Sequence, residues 1–466
     1  MNRNKLDESS KYVVLILLVT LLNACIIVDV DADREAKKYD KADASTFENA
    51  TSSKPKNIIM VVADGMGPAF VSAYRYYNDN PDTAYIETTI FDDILVGSAQ
   101  TYPHPQSGLI TDSAASATAL ATGVKSYNTA IGVDVNKQAL ETVLHRAHKL
   151  GKNTGIAVTS HIAHATPASY LVANESRHNY QQIADSMYDD RINGEHLADI
   201  MLGAGWGYFI REDRNLVEAF KRDGYQYIDN YTGLNDLDKS KPALGLFGDN
   251  SVPWALDDTD PLRLSTMTQA AVPFLESEDG FFLLVEASMV DWAGHANDIA
   301  SAMAEMHDLA KTMEYLYQYV QENPDTLVVL TADHSTGGLS IGANGDYKWE
   351  PSYLHNMRVS TQKMATDILS EEDRVAYVEG AFGFTLTDEE KASLDQITAD
   401  MKERPRAAVL KKIVDDRTNT GWTTSGHTGL DVQVFAFGPG ANVFVGSQNN
   451  TQIAHKLFAL LEEAND

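Results

Sequence analysis

The stretch Ile58-Ile59-Met60-Val61-Val62-Ala63-Asp64-Gly65-Met66-Gly67 decides the fold. Its apolar residues do not alternate with polar ones, as expected for a parallel strand covered on both faces, and the run stops at an acidic residue among glycines. Four more runs share this pattern, at 155–159, 281–285, 327–331 and 432–437. Helical patterns lie between them. Residues 139–150 are amphipathic and stop at Gly151. Residues 298–322 place Met303, Met306, Leu309, Met313, Leu316 and Val320 on one face, with Pro324 just beyond. Thr451 is positioned to cap a last helix over 452–463. This alternation predicts an α/β protein with a doubly wound, mostly parallel central sheet, helices on both faces and right-handed crossovers. Residues 191–263, rich in Gly, Asp and Tyr, do not fit the alternation, and neither do 342–421, which contain a helix-like part at 387–402.

The chain has 466 residues, with 66 Asp and Glu against 37 Lys and Arg, a net charge of −29. A phosphate backbone needs a basic footprint, so nucleic acid is excluded as a bulk partner. Any anionic substrate must be met by local positive charge. At the N-terminus Arg3, Lys5 and Lys11 precede an apolar run over 13–22 that ends Leu22-Asn23-Ala24-Cys25. This reads as a lipoprotein-type signal peptide over 1–25, with Cys25 as the lipidated residue; a plain signal peptide with an incidental cysteine is the alternative. Export to the periplasm or the extracellular side follows, with the membrane touched only through that anchor. Cys25 is the only cysteine, so the folded part holds neither a disulfide nor a thiolate metal site. Residues 26–54 are polar and read as a flexible tether. The folded domain is expected over 55–466.

Asp64, Glu286 and Asp333-His334 all fall at the C-terminal ends of predicted strands, the edge at which open α/β sheets bind ligands. A lone acid at a strand end is more often a helix cap; the coincidence of several such ends points to a site. Asp291 and His295 are spaced to share one face of a helical turn, and His427 sits in a Gly-rich loop before a strand. Asp, Glu and His are the ligands a pair of zinc ions takes without cysteine. Ser113 opens a small-residue helix that stops at Gly123. The free N–H groups and positive dipole end there favour an alkoxide and an attached phosphate. On this segment alone, simple capping by Thr111, Asp112 or Ser113 stands equal to that reading. Arg177 offers a fork for two phosphate oxygens, and a surface salt bridge is the competing reading.

With these residues assembled, the chain from about residue 55 onward resembles the bacterial alkaline phosphatases. The motifs are V-V-A-D-G-M-G (61–67), T-D-S-A-A-S-A-T-A-L-A-T-G (111–123), H-A-T-P-A-S (164–169), E-A-S-M-V-D-W-A-G-H (286–295), L-T-A-D-H-S-T-G-G (330–338) and S-G-H-T-G (425–429). The resemblance implies hydrolysis of phosphate monoesters of broad range through a phosphoserine at Ser113. It implies two zinc ions, the first held by Asp291, His295 and His427 and the second by Asp64, Asp333 and His334. It implies one magnesium held by Asp64, Thr166 and Glu286, with Arg177 clamping two phosphate oxygens. Asp112, His164 and Trp292 are expected directly behind these groups.

Two positions depart from the enterobacterial pattern. His164 stands where an aspartate would lie near the magnesium, which is expected to loosen that site or let zinc compete for it. Trp292 stands where lysine or histidine often sits, which is expected to weaken phosphate retention. His161 and the other remaining histidines match no motif and are expected at the surface or in the core. A phosphodiesterase or a related phosphoryl or sulfuryl hydrolase is the alternative activity. A non-catalytic lipoprotein that binds metal or phosphate is the alternative class. The 342–421 segment is expected to be an insertion at the site's mouth, a lid or an oligomer contact, which leaves a homodimer open.

Overall fold

The structure, a computed structural model, describes residues 54–461. The signal segment over 1–25, the tether up to residue 53 and residues 462–466 lie outside the described residues. Ten strands form one sheet: β1 (Asn57–Val62), β2 (Leu95–Gln100), β3 (Asn153–His161), β4 (Ile200–Ala204), β5 (Gln226–Ile228), β6 (Ala243–Leu246), β7 (Phe281–Glu286), β8 (Thr326–Thr331), β13 (Val432–Phe437) and β14 (Gly446–Asn449). Two short ribbons use β9 (Ser335–Thr336) with β12 (His427–Thr428), and β10 (Leu339–Ile341) with β11 (Thr420–Trp422). The sheet order is β14-β2-β13-β8-β1-β7-β3-β4-β6-β5. Every pairing in it is parallel except those of β13 with β8 and β2. Strands β1, β7 and β8 are buried along their whole length, which is why they carry no polar alternation.

The antiparallel run of β13 departs from the parallel expectation for 432–437. The chain enters β13 from β12, at the rim where the other strands end, and must run back down the sheet. The 191–263 stretch also departs from expectation, because it supplies β4, β5 and β6. These strands are only three to five residues long. Gly203 and Gly245 interrupt their apolar runs, and a side chain at Gly203 would meet Ile162 and Val158 at 2.7–2.8 Å. The pattern was therefore too short to read.

Helix bounds shift for local reasons. The first predicted helix begins only at Val143, because Thr142 caps it and its hydroxyl accepts from His145 N. The last helix starts at Asn450, so Thr451 lies within its first turn and bonds the Asn449 side chain. Asp298 caps the long helix Ile299–Glu322, accepting from Ser301 N. Residues 342–419 leave and return through the β10–β11 ribbon. They carry the helices Thr361–Asp367, Arg374–Phe382, Asp388–Leu394 and Glu403–Thr418, so the helix-like 387–402 part is one short helix capped by Thr387, followed by a turn. Among the described residues, no helix is long and apolar enough to cross a membrane.

The long helix is fixed by a buried charge cluster. Arg263 is fully buried, donates to Glu305 and the Pro253 carbonyl, and lies 3.5 Å from Asp308. Asp308 accepts from Leu264 N and Ser265 N at 2.9 and 3.0 Å, supplying the cap that Leu262 cannot give the Arg263–Leu275 helix. Removing one partner of a buried charge group strands the other. Arg263→Ala should therefore lower stability by about 3–5 kcal/mol in urea unfolding, and a loss below about 1 kcal/mol would show that the cluster is not a keystone.

Candidate active site

Sheet order sets the lateral order of the site. In register, Val62 pairs with Glu286 on one side and Thr331 on the other, and Glu286 pairs with Val158 of β3. Asp333, Asp64, Glu286 and the His164–Thr166 segment thus leave four adjacent strands, β8, β1, β7 and β3, at one rim, with neighbouring strands about 4.8 Å apart. The β9–β12 ribbon pairs His427 with Thr336 and so brings the His427 segment beside His334. Gly65 makes the approach of the next helix possible. Its φ is +73°, and a Cβ there would lie 2.7 Å from Asp291 Cα. That helix, Met289–Ala296, carries Asp291 and His295 on one face.

The side chains gather in three groups, within each of which one ligand atom per residue lies within 4.8 Å of the others. Asp291, His295 and His427 form the first, Asp64, Asp333 and His334 the second, and Asp64, His164 and Glu286 the third. Thr166 is fully buried, and its hydroxyl has no hydrogen-bond partner.

Histidine tautomers follow from the partners on the far side of each ring. His295 Nδ1 lies 2.7 Å from the Ser425 carbonyl and His427 Nδ1 lies 2.8 Å from the Thr111 carbonyl, so each Nδ1–H donates there. Thr336 gives its only proton to Asp291 Oδ1 at 2.5 Å, so it accepts from His334 Nδ1 at 3.1 Å. All three rings therefore turn an Nε2 lone pair inward. His295 Nε2 and His427 Nε2 face each other at 3.1 Å, and His334 Nε2 lies 3.2 Å from Asp333 and 3.4 Å from Asp64.

These donors fit divalent cations. Both carboxyl oxygens of Asp64, one of Glu286 and one of Asp333 are buried without a hydrogen-bond partner. Burial, and then repulsion by Asp333, Asp291 and Glu286, holds the Asp64 carboxyl well above its ordinary range. Burial pushes Asp333 up to about 8 and Glu286 to about 7. Unpaired carboxylates and converging lone pairs in a dry rim need positive charge between them.

The Ser113 hydroxyl sits against this cluster. Asp112 caps the Ser113–Thr122 helix through Ala115 N, which resolves the capping question and leaves Ser113 Oγ free to meet His334 Nε2 at 3.1 Å. The other oxygen of Asp112 accepts from Thr129 N and from Arg177 at 3.2 Å. Arg177 is largely buried, so it is no surface salt bridge, and its second arm donates to His164 Nε2 at 2.9 Å. Trp292 stands edge-on to His164 at 5.9 Å. Ser113, Arg177, His164, Trp292, His295 and His427 line one cleft of about 420 Å³.

Sequence reasoning missed several of its neighbours. His161, Tyr180, Tyr208 and Asn250 share the cleft, and the His161 ring centre lies 4.9 Å from that of Tyr180, edge-on, and 4.7 Å from that of Tyr208, tilted. Their positions follow no motif, and Tyr208 and Asn250 come from the stretch whose strands were unreadable. Thr336, which bridges two ligand groups, was visible only as part of a quoted motif.

The alkaline phosphatase family model matches residues 55–463. Alkaline phosphatase 3 of Bacillus subtilis is 42% identical over 91% of this chain and 92% of its own. Alkaline phosphatase 4 of the same organism is 40% identical over 96% of both. The solved cold-active alkaline phosphatase of a psychrophilic Shewanella species is 50% identical, superposes with a TM-score of 0.83, and is matched over 87% of this chain and all of its own. Six ordered motifs, one rim of convergent ligands and these similarities together place the chain in the alkaline phosphatase family, a metal-dependent phosphomonoesterase.

Proposed function

We propose that Ser113 is the phosphorylated nucleophile, that Arg177 grips the phosphate, and that two zinc ions and one magnesium ion fill the three ligand groups. The observation that carries this reading is the set of unpartnered carboxyl oxygens and inward lone pairs beside the Ser113 hydroxyl, which meets His334 Nε2 and takes no part in capping its helix. The Asp291–His295–His427 and Asp64–Asp333–His334 groups mix imidazole and carboxylate, as zinc prefers. Asp64, Glu286 and the Thr166 hydroxyl make an oxygen corner suited to magnesium; the Arg177 bond to His164 Nε2 leaves the ring proton on Nδ1, so the imidazole lets zinc compete there only once Arg177 releases it. When bound, the cations supply charge that stabilises a serine alkoxide and the oxygens around phosphorus.

The chain's own residues supply positioning. Asp112 fixes the Ser113 helix start and one arm of Arg177, and His164 fixes the other, which aims the guanidinium at the cleft. Ser113 Oγ forms a bond to phosphorus while the bond to the ester oxygen breaks, and water then cleaves the phosphoserine. The cleft grips the phosphate and leaves the alcohol toward solvent, which supports a broad range of monoesters. The oxygen corner favours a monoesterase over a diesterase. Export under residues 1–25, a lipid anchor at Cys25 and a homodimer are further parts of the reading, supported by sequence pattern and family resemblance.

Ser113→Ala should lower turnover of p-nitrophenyl phosphate about a thousand-fold or more while metal content by elemental analysis stays that of the parent. Undiminished turnover with intact metal would sink the nucleophile assignment. Chelation should abolish activity, and zinc together with magnesium should restore more of it than either alone; full recovery with zinc alone would assign the third group to zinc. Bis-p-nitrophenyl phosphate should be cleaved far more slowly than the monoester, and the reverse order would favour the diesterase reading.

A further inference from the structure

The helix Glu403–Thr418 belongs to the 342–421 segment, for which sequence suggested a lid or an oligomer contact. Two of its cations do something else. Arg404 donates to the Ser425 hydroxyl at 2.9 Å, and Lys411 donates to the Ala296 carbonyl. In a chain with 66 acidic residues, neither pairs with a carboxylate within 4.0 Å among the described residues; Asp298 and Asp415 act on Lys411 only from further away. Both cations are instead committed to neutral oxygens, one a side-chain hydroxyl and one a backbone carbonyl, on residues that flank the same candidate ligand. Ala296 follows His295 directly, and the Ser425 carbonyl is the acceptor that sets the His295 tautomer.

His295 is also the ligand that most needs such support. Its side chain is 41% exposed, whereas those of Asp291 and His427 are 4% and 13% exposed. Packing orients the buried ligands, but a rim imidazole on the last turn of a short helix is oriented by its hydrogen bonds. Asn297, just past that turn, adds a third tie when its amide nitrogen donates to the Gly294 and Thr424 carbonyls.

We infer that Arg404 and Lys411 are positioning residues that hold His295 in its metal-binding orientation, so that the 403–418 helix is a buttress of the first ligand group. This rests on the reading of His295 as a ligand given above. Ser425→Ala, which removes only the hydroxyl that Arg404 holds, is the least disruptive variant; Arg404→Gln and Lys411→Met act from the other side. Each should release zinc to a competing chelator about tenfold more readily than the parent. Melting of the metal-free protein should be unchanged, and turnover should return when zinc is supplied in excess. Arg404→Lys should retain zinc nearly as the parent does, and combining Arg404→Gln with Ser425→Ala should weaken retention no further than either alone. His295→Ala, measured alongside, separates the two levels. If it leaves zinc retention unchanged, the ligand assignment fails. If it weakens retention while the buttress variants retain zinc as the parent does, the buttress is overturned. A rise in KM for p-nitrophenyl phosphate with normal zinc retention would also overturn it, because the helix would then act on substrate.

Discussion

Mutual repulsion among carboxylates in a dry rim is the constraint on which the site depends. Asp64, Glu286, Asp291 and Asp333 stand where strands or the adjoining helix end, fully or almost fully out of solvent. Water cannot compensate them, and the polypeptide supplies only part of the hydrogen bonding they need. Gly65 N and His334 N satisfy one oxygen of Asp333, and Thr336 satisfies one of Asp291. What is left over is an electrostatic demand for cations. The surrounding β-strands make that demand affordable, because three fully buried apolar strands hold the backbone rigid beneath it.

The same rim handles the substrate's charge. A chain of net charge −29 repels phosphate at long range. On the proposed reading the phosphate is received by charge gathered at one point: the Arg177 fork, the start of the Ser113 helix, and the cations that the candidate ligand groups would hold. Arg177 is fixed from both sides, by Asp112 and His164. This gives His164, a departure from the enterobacterial pattern, a bond to Arg177 through Nε2 and a place beside Asp64 and Glu286.

Support for the site is graded with depth. His334 is enclosed and oriented by Thr336 from within its own loop, whereas His427 takes its orientation from the Thr111 carbonyl next to the Ser113 helix. His295, at the surface, draws on a segment more than a hundred residues later. Residues outside the core sheet thus bear on the geometry of the most exposed ligand.

The sequence alone determined the α/β class, the central strands and the six motifs that carry the candidate ligands. Donor chemistry resides in residue type, and a buried parallel strand that ends in an acid announces both its path and its purpose. Asp64 and Asp333 were legible in this way as candidates, whereas Ser113 on its own segment stood level with simple capping. The strands of 191–263 were not, because runs of three to five residues broken by glycine carry no periodicity. The direction of β13 was not, because hydrophobicity does not record which way a strand runs. Only the tertiary structure decided which histidine nitrogen faces inward, since the carbonyls of Thr111 and Ser425 that fix it are backbone atoms common to every residue. The tertiary structure also assigned the cap to Asp112 and placed Arg177 out of solvent, because both outcomes depend on contacts between segments far apart in the chain.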